Sequence, residues 1–566
     1  MKNTTGIAVG ILLLTLMAYA PSIQGQFIWD DEAHVTETET LRTWQGLRAI
    51  WTQPGAVQQY YPLTYTLFWI QFHLWHPHVA GYHLVNIFLH AFNAILLMRL
   101  LIQLEVPGAW LAGLLFAIHP VHVESVAWIS ELKNTLSTFL YLLSLIAYLR
   151  FESSARRVSA KASSWRWYFI SLLLYLSALF AKTVTASLPA AVCLLLWWKR
   201  GLQRQAILRL LPFFILGWIL GLHTLWVEKT YAGAVGSDWA LGAAQRFVVA
   251  GRALWFYAGK IVWPNPLMFI YPRWPLASLG GAAFFFPLSA AAVLTLLWVF
   301  RNRTGEAPFV AVAFFAGTLT PALGFFNLYP MRYSFVADHF QYLASLGLFS
   351  LVAAILARGF AWLKKRSSPL AIAALGLLIF NLGFATAQET LKYKNNESLW
   401  RDTLAKNGSC AIAHHNLAAL LYARGDLHGA LDSFRSAHRL NPDDPETNIN
   451  LGQVLFRLRR SDEALPYFHD GLTRGIPDPK ALNNYGVALM NAGRALEAIP
   501  PLERALRLLP GDRLIQNNLQ RARALKKRRA GTPPRSRRAP EALHRFQLSY
   551  NSLTAYETGC DLSRVL

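Results

Sequence analysis

Three acidic side chains in a row, Asp30, Asp31 and Glu32, follow the first apolar stretch and the aromatic-rich Phe27-Ile28-Trp29. Carboxylates set side by side against apolar surface repel one another and lose water. Both effects favour a carboxyl that can take a proton near neutral pH, the task of a general base. A second group is His119-Pro120-Val121-His122-Val123-Glu124, followed by Glu131 and Lys133. Two histidines three apart beside a glutamate have the residue types of a metal site. Pro120 interrupts any helix that would put them on one face, so no metal ligands are assigned and a divalent metal is left open. Capping and loop hydrogen bonds are the plainer role for His119 and His122, with lining of a site between the two readings. A departing phosphate would need cations, and Lys182, Arg332, His339, Arg246, Arg252 and Lys260 are placed to supply them. For any one of these alone, snorkelling to a lipid interface is the plainer reading.

The elements that must position these groups are apolar helices. The chain has 566 residues, 54% hydrophobic and only 15% charged, too few charges to cover a soluble protein of this length. Apolar runs of about 17–25 residues recur to about residue 388. Candidate spans fall near 5–21, 82–103, 107–118, 133–150, 166–182, 184–198, 210–226, 277–300, 308–328, 341–360 and 369–388. The net charge of +23 excludes nucleic acid by its distribution. Much of it lies in short loops, at 150–166, 199–209, 301–303 and 358–366, where basic residues fix membrane orientation. If those loops are cytoplasmic, so is the N-terminus. Residues 22–80, 119–132, 227–276, 329–340 and everything after 388 then face outward. The segment 244–263, punctuated by Arg246, Arg252 and Lys260, is read as an amphipathic or re-entrant element on the outer surface. The first apolar stretch lacks a small-x-small cleavage site and is read as an uncleaved span. Three cysteines, Cys193, Cys410 and Cys560, form neither a disulfide framework nor a zinc spacing.

Beyond the spans the sequence repeats. Asn416-Leu417-Ala418, Asn450-Leu451-Gly452 and Asn484-Tyr485-Gly486 recur at the tetratricopeptide period, in phase with Ala430, Ala464 and Ala498 and with Phe434, Phe468 and Leu502. A partial helix near 398–406 is expected before them. Asn416, Asn450 and Asn484 occupy equivalent inner-helix positions. Such a ladder can hold a peptide backbone; a structural hydrogen bond between repeats is an equal alternative. Residues 526–566 begin with KKRRAGTPPRSRRAP and read as a basic, disordered tail. The expected fold is therefore all-α: a polytopic membrane domain over 1–390 with about eleven spans, a tetratricopeptide superhelix over 391–525, and the tail.

Several stretches, in their shared order, resemble a known family. They are WDDE at 29–32, YYPLTY at 60–65, YHLVNIFLHAFNAILL at 82–97, FAIHPVHVESVAWISELKNTLSTF at 116–139, ALFAKT at 178–183 and VADHFQYLASLGLF at 336–349, followed by the repeats. The chain resembles the transmembrane and tetratricopeptide-repeat O-mannosyltransferase group of the GT-C glycosyltransferase superfamily, as a bacterial relative. The resemblance implies a GT-C-type membrane domain that moves a sugar from a polyprenyl-phosphate carrier to Ser/Thr hydroxyls of extracytoplasmic proteins, with the repeats recruiting the acceptor. It implies an acidic catalytic residue in the first outward loop, Asp30 or Asp31. Glu124 and Glu131 match acidic positions of the second loop, and Lys182 matches a basic one at a span end. Where the family often reads Asp-Arg, this chain has Asp338-His339, which leaves Arg332 to compensate. Glu32, His119, His122 and Lys133 complete the lining. A bacterial inner membrane is the expected location. The rival readings are a membrane scaffold that works through its repeats, and a GT-C transferase acting on a glycan or lipid. A transporter is disfavoured by the scarcity of ionisable residues within the spans.

Overall fold

The computed structural model describes residues 4–155, 161–231, 233–234, 236–276 and 280–530. The loop residues Arg156 and Arg157 and the tail from 531 onward, with Cys560, lie outside them. The described residues are helical throughout and contain no strand. The chain divides into two compact units, Met1–Asp402 and the residues from Thr403 on.

In the first unit seven helices are long and apolar enough to cross a membrane: Thr4–Gln24, Ala80–Gln103, Ile129–Ser154, Arg204–Thr230, Gly281–Val299, Ser345–Arg366 and Ser368–Tyr393. The pair Ala109–Ile118 and Pro120–Ala127, bent by 57°, is a broken span or a re-entrant loop, so the described residues hold seven spans, or eight if the pair counts as one. The protein is a multi-pass membrane protein. Three further candidate spans of the sequence form helices that do not meet that standard. Leu188–Arg200 and Ala307–Leu319 have 13 residues each, about 20 Å of rise against a hydrocarbon core of about 30 Å. Lys161–Ala181 begins with the polar turn Lys-Ala-Ser-Ser.

The order of the helices explains how distant segments meet. Several of the segments between the helices meet in one cluster. Residues 27–31, 128–133, 182, 257–271, 329–339 and 391–400 are joined there by side-chain contacts. The opposite end gathers the basic turns: Arg209 pairs with Glu152 at 3.4 Å and Trp197 stacks on Trp298. Close helix approach uses small residues, as is usual where lipid supplies no hydrophobic drive. A Cβ at Gly113 would lie 2.7 Å from the Ala94 carbonyl oxygen. The segment Ala243–Val262 is a helix with one buried face, Val248, Val249, Ala253, Tyr257 and Ile261.

The second unit stacks helix pairs: Ala411–Ala423 with Leu427–Leu440, Pro445–Arg457 with Ser461–Arg474, and Pro479–Asn491 with Ala495–Leu508. Arg513–Ala530 follows and runs into the first residues of the basic tail. The repeat positions do what their phase predicts. Ala430, Ala464 and Ala498 are fully buried with Phe434, Phe468 and Leu502. Gly452 lies against the Phe468 ring, where a Cβ would be 2.9 Å away. Asp426, Asp444 and Asp478 cap helix N-termini by accepting from backbone N–H groups. The helix expected near 398–406 runs Asn396–Lys406.

Candidate active site

The site is built on the loop after the first span. Trp29 has a left-handed backbone (φ 46). Its N–H donates to Asn396 Oδ1 at 2.6 Å. Its ring stacks on Trp128 at 5.6 Å and meets Phe269 and Trp400 edge-on.

The adjacent aspartates have different surroundings. Asp31 is fully buried and accepts three hydrogen bonds, from Ile28 N–H (2.9 Å), Ser130 N–H (2.7 Å) and the Ser130 hydroxyl (2.5 Å). It is a clamp between the loop after the first span and the segment 128–133. Burial first, then the charge of Asp30, pushes its carboxyl from 3.8 up to about 8, against the pull of those three donors. Asp30 keeps one oxygen 3.3 Å from His34 Nε2. Its other oxygen, Oδ1, is shielded and has no partner among the described residues. Of the two, only Asp30 has an oxygen without a hydrogen-bond partner among the described residues.

The Asp31 shift has a measurable consequence. Unfolded, this carboxyl ionises near pH 4; folded, it keeps its proton to about 8. Its contribution to stability is complete below about pH 4, declines as pH rises, and is lost above about 8. The expected slope is up to about 1.4 kcal/mol per pH unit in that window. Thermal unfolding in detergent from pH 5 to 8 should show the decline in the wild type and a flatter line in Asp31→Asn. Equal slopes would mean that Asp31 is ionised in the fold.

Beside the aspartates lies a buried ionic cluster centred on Glu131. Its carboxylate meets Lys133 Nζ at 3.0 Å, Lys182 Nζ at 3.5 Å and His339 Nε2 at 3.9 Å, and accepts from Asn134 Nδ2 at 2.5 Å. Asn134 Oδ1 in turn accepts from Lys182 at 2.7 Å, and Gln59 Oε1 accepts from Lys133 at 3.3 Å. Lys133 is close enough to Asp30 for the two charges to interact. Glu124, 2% exposed, spends both oxygens on His339: one accepts the backbone N–H at 3.0 Å, the other lies 3.0 Å from Nδ1. Asp338 accepts from the Tyr271 hydroxyl at 2.9 Å through one oxygen, while the other is buried without a partner among the described residues.

Several sequence candidates thus come together: Asp30, Asp31, Glu124, Glu131, Lys133, Lys182 and His339. Others do not. Glu32 is half-buried on the loop, and burial raises its carboxyl. His119 accepts from Val121 N–H, and His122 bridges the Phe116 carbonyl (2.9 Å) and the Ser345 hydroxyl (3.0 Å). Both rings pack against Phe349, so their hydrogen bonding is structural. Arg332 lies 3.4 Å from Asp238, which also pairs with Arg273, and Arg252 sits over the Trp274 ring at 4.5 Å. Arg246 is tied to the carbonyls of Gly324, Phe325 and Trp239 and to Asn327. His34, Ser130, Asn134 and Tyr271 join the site without having stood out in the sequence. Tyr65, one of a run of tyrosines and tryptophans with the look of an interfacial belt, bonds His34 instead. The i, i+4 spacing of His34 from Asp30, and i, i+3 of Asn134 from Glu131, were the available signals. In the second unit Asn416, Asn450 and Asn484 are half-buried at equivalent positions. No hydrogen bond to their side chains is found among the described residues.

Fold and site define a multi-pass helical membrane protein with a buried carboxylate–lysine cluster and a tetratricopeptide unit. Tetratricopeptide models match it twice, "Tetratricopeptide repeat" over residues 449–513 and "TPR repeat" over 418–458. Its homologues are protein O-mannosyl-transferases of the TMTC kind. It is 24% identical over 453 residues to Protein O-mannosyl-transferase F38B6.6 of Caenorhabditis elegans, a match covering 76% of this chain and 62% of that one. To Protein O-mannosyl-transferase TMTC1 of Homo sapiens it is 24% identical, covering 79% of this chain and 57% of that one. To Protein O-mannosyl-transferase Tmtc3 of Drosophila melanogaster the figures are 23%, 80% and 57%. The chain thus spans less than two thirds of the length of each of these relatives. Among solved structures it is similar to the TPR protein YrrB (TM-score 0.23, 20% identity, covering 30% of this chain and 84% of that one).

Proposed function

We propose that this protein is a GT-C-type glycosyltransferase that moves a sugar, mannose by resemblance, from a polyprenyl-phosphate carrier to Ser/Thr hydroxyls of extracytoplasmic polypeptides. The observation that carries the reading is the pairing of a carboxylate oxygen without a partner, on Asp30, with a buried lysine pair at Glu131, in a chain whose homologues are named protein O-mannosyl-transferases. Asp30 accepts the proton of the acceptor hydroxyl at Oδ1. The hydroxyl oxygen forms the new bond to the anomeric carbon as the carbon–phosphate-oxygen bond breaks. The bonding electrons leave with polyprenyl phosphate, whose charge Lys133 and Lys182 neutralise in a poorly hydrated site. The proton on Asp30 then returns to water. Glu124 holds His339, and Asp31 holds the two outward segments in register. Trp29 and Trp128 offer aromatic faces on which a sugar ring can stack.

In this reading the site faces outward and the N-terminus is cytoplasmic. Supporting this, the four loop segments that the charge count assigns to one side meet in one cluster, and the basic turns meet at the other end. The repeats then collect the acceptor chain by backbone hydrogen bonds to the asparagine ladder, raising its local concentration. Changing Asn416, Asn450 and Asn484 together to Ala should lower modification of a long acceptor at least about tenfold and leave a short Ser/Thr peptide unaffected. Equal losses on both would remove the recruiting role.

The direct test is reconstitution in proteoliposomes with polyprenyl-phosphate mannose and extracytoplasmic proteins, read by intact mass. Hexose addition by the wild type, absent in Asp30→Asn, supports the reading. No addition to any protein, with addition to a glycolipid, would move the acceptor to lipid. No transfer at all would leave the scaffold.

A further inference from the structure

The turn after Trp29 places a residue on Asp30 that the mechanism above does not use. His34 N–H donates to the Asp30 carbonyl at 2.9 Å, four residues back. That turn carries the imidazole onto the Asp30 side chain, with Nε2 3.3 Å from Oδ2. The other ring nitrogen, Nδ1, is 2.5 Å from the Tyr65 hydroxyl. His34 and Tyr65 are 5% and 2% exposed, so water does not compete for either bond.

We infer that His34, held by Tyr65, is a positioning residue that locks Asp30 with Oδ1 as its one proton-accepting oxygen. This rests on the reading of Asp30 as the base. The donor directions follow from the partners. A carboxylate can only accept, so Nε2 carries a hydrogen toward Oδ2 in either protonation state of the ring. With the ring neutral, Nδ1 is the acceptor and Tyr65 the donor. Burial, and then the charge of Asp30, raises the Tyr65 hydroxyl, so it keeps its proton to donate. The chain Tyr65–His34–Asp30 therefore polarises in one direction and ends on the carboxylate. It fixes the carboxylate plane and occupies Oδ2, and Oδ1 is left for the substrate. Besides His34, the titratable groups around Asp30 are Asp31 on the same turn, which the fold keeps protonated, Tyr65, and Lys133 from the segment 128–133.

The test uses the full chain in proteoliposomes, with kcat, KM and the pH–rate profile measured for His34→Leu, His34→Gln and Tyr65→Phe beside Asp30→Asn. Removing a donor from a carboxylate favours its protonated form. In His34→Leu the acidic limb of the profile should move to higher pH by about one unit, with kcat down about tenfold and KM for the donor lipid unchanged. Gln, which keeps an N–H donor, should restore part of both. Tyr65→Phe should shift the limb the same way by less, and serves as the test should the leucine variant not fold. A fall in kcat with an unmoved profile would reduce His34 to packing and overturn the inference. So would unchanged kinetics in both His34→Leu and Tyr65→Phe while Asp30→Asn is dead. An active Asp30→Asn would instead overturn the reading of Asp30 as the base.

Discussion

Asp30→Asn is expected to lose about 10²–10⁴-fold in transfer rate while inserting and folding like the wild type. The neighbouring Asp31→Asn should keep most of its activity near pH 6. The contrast follows from how each oxygen is occupied. Asn at position 30 still accepts from His34 through its amide oxygen, but puts an NH₂ group where Oδ1 was free to receive a proton. Among the other carboxylates of the cluster only Asp338 also keeps a buried oxygen without a partner among the described residues, its second oxygen accepting from Tyr271. Asp31 is fully committed to Ile28 and Ser130, Glu124 to His339, and Glu131 to Lys133, Lys182 and Asn134. Asp31→Asn, by comparison, replaces a carboxyl that the fold holds protonated up to about pH 8 by a neutral isostere of the same reach. The measurement is initial rate of hexose transfer at pH 6, normalised to folded protein by detergent thermal unfolding. Equal losses in the two variants would assign the aspartates a shared role and remove the distinction drawn between them.

Much of this arrangement was legible in the sequence. The acidic triplet, the Glu124–Lys133 segment, Lys182 and His339 were each visible as ionisable residues at span ends, and basic loops at alternating turns put them on one side. Repeat phase placed the buried Ala430, Ala464 and Ala498 and the buried Phe434, Phe468 and Leu502 of the tetratricopeptide unit. What sequence could not order was the choice between Asp30 and Asp31, because the difference is made by Ser130, some hundred residues away, and by His34 on the next turn. Nor could it sort the cations. Arg252 and Arg332 looked as suitable for phosphate as Lys182, yet a tryptophan face and Asp238 occupy them. His119 and His122 attracted a metal reading by type, while the bend at Pro120 turns them onto backbone carbonyls, a hydroxyl and Phe349.

Glu131→Gln is the second large expected effect, and it should appear in stability before activity. Glu131 is 1% exposed and neutralises Lys133 and Lys182 at 3.0 and 3.5 Å, with His339 at 3.9 Å. Removing one partner of a buried ion pair leaves the remaining charge without compensation, at a cost of about 3–5 kcal/mol. Here two lysines lose the same partner. Gln keeps the acceptor for Asn134 Nδ2 and fills the same volume, so the loss reports charge and not a cavity. A wild-type site should therefore be poised to take on an anion, and Glu131→Gln should be partly rescued by one. Added polyprenyl phosphate should raise the unfolding temperature of Glu131→Gln more than that of the wild type, because in the variant the lipid phosphate supplies the only negative charge between the lysines. Lys182→Met in the Glu131→Gln background should recover stability without the lipid and abolish that rescue. If Glu131→Gln unfolds at the wild-type temperature, Lys133 and Lys182 are not both charged in the resting site. A phosphate would then have to be met by the arginines around Asp238 instead.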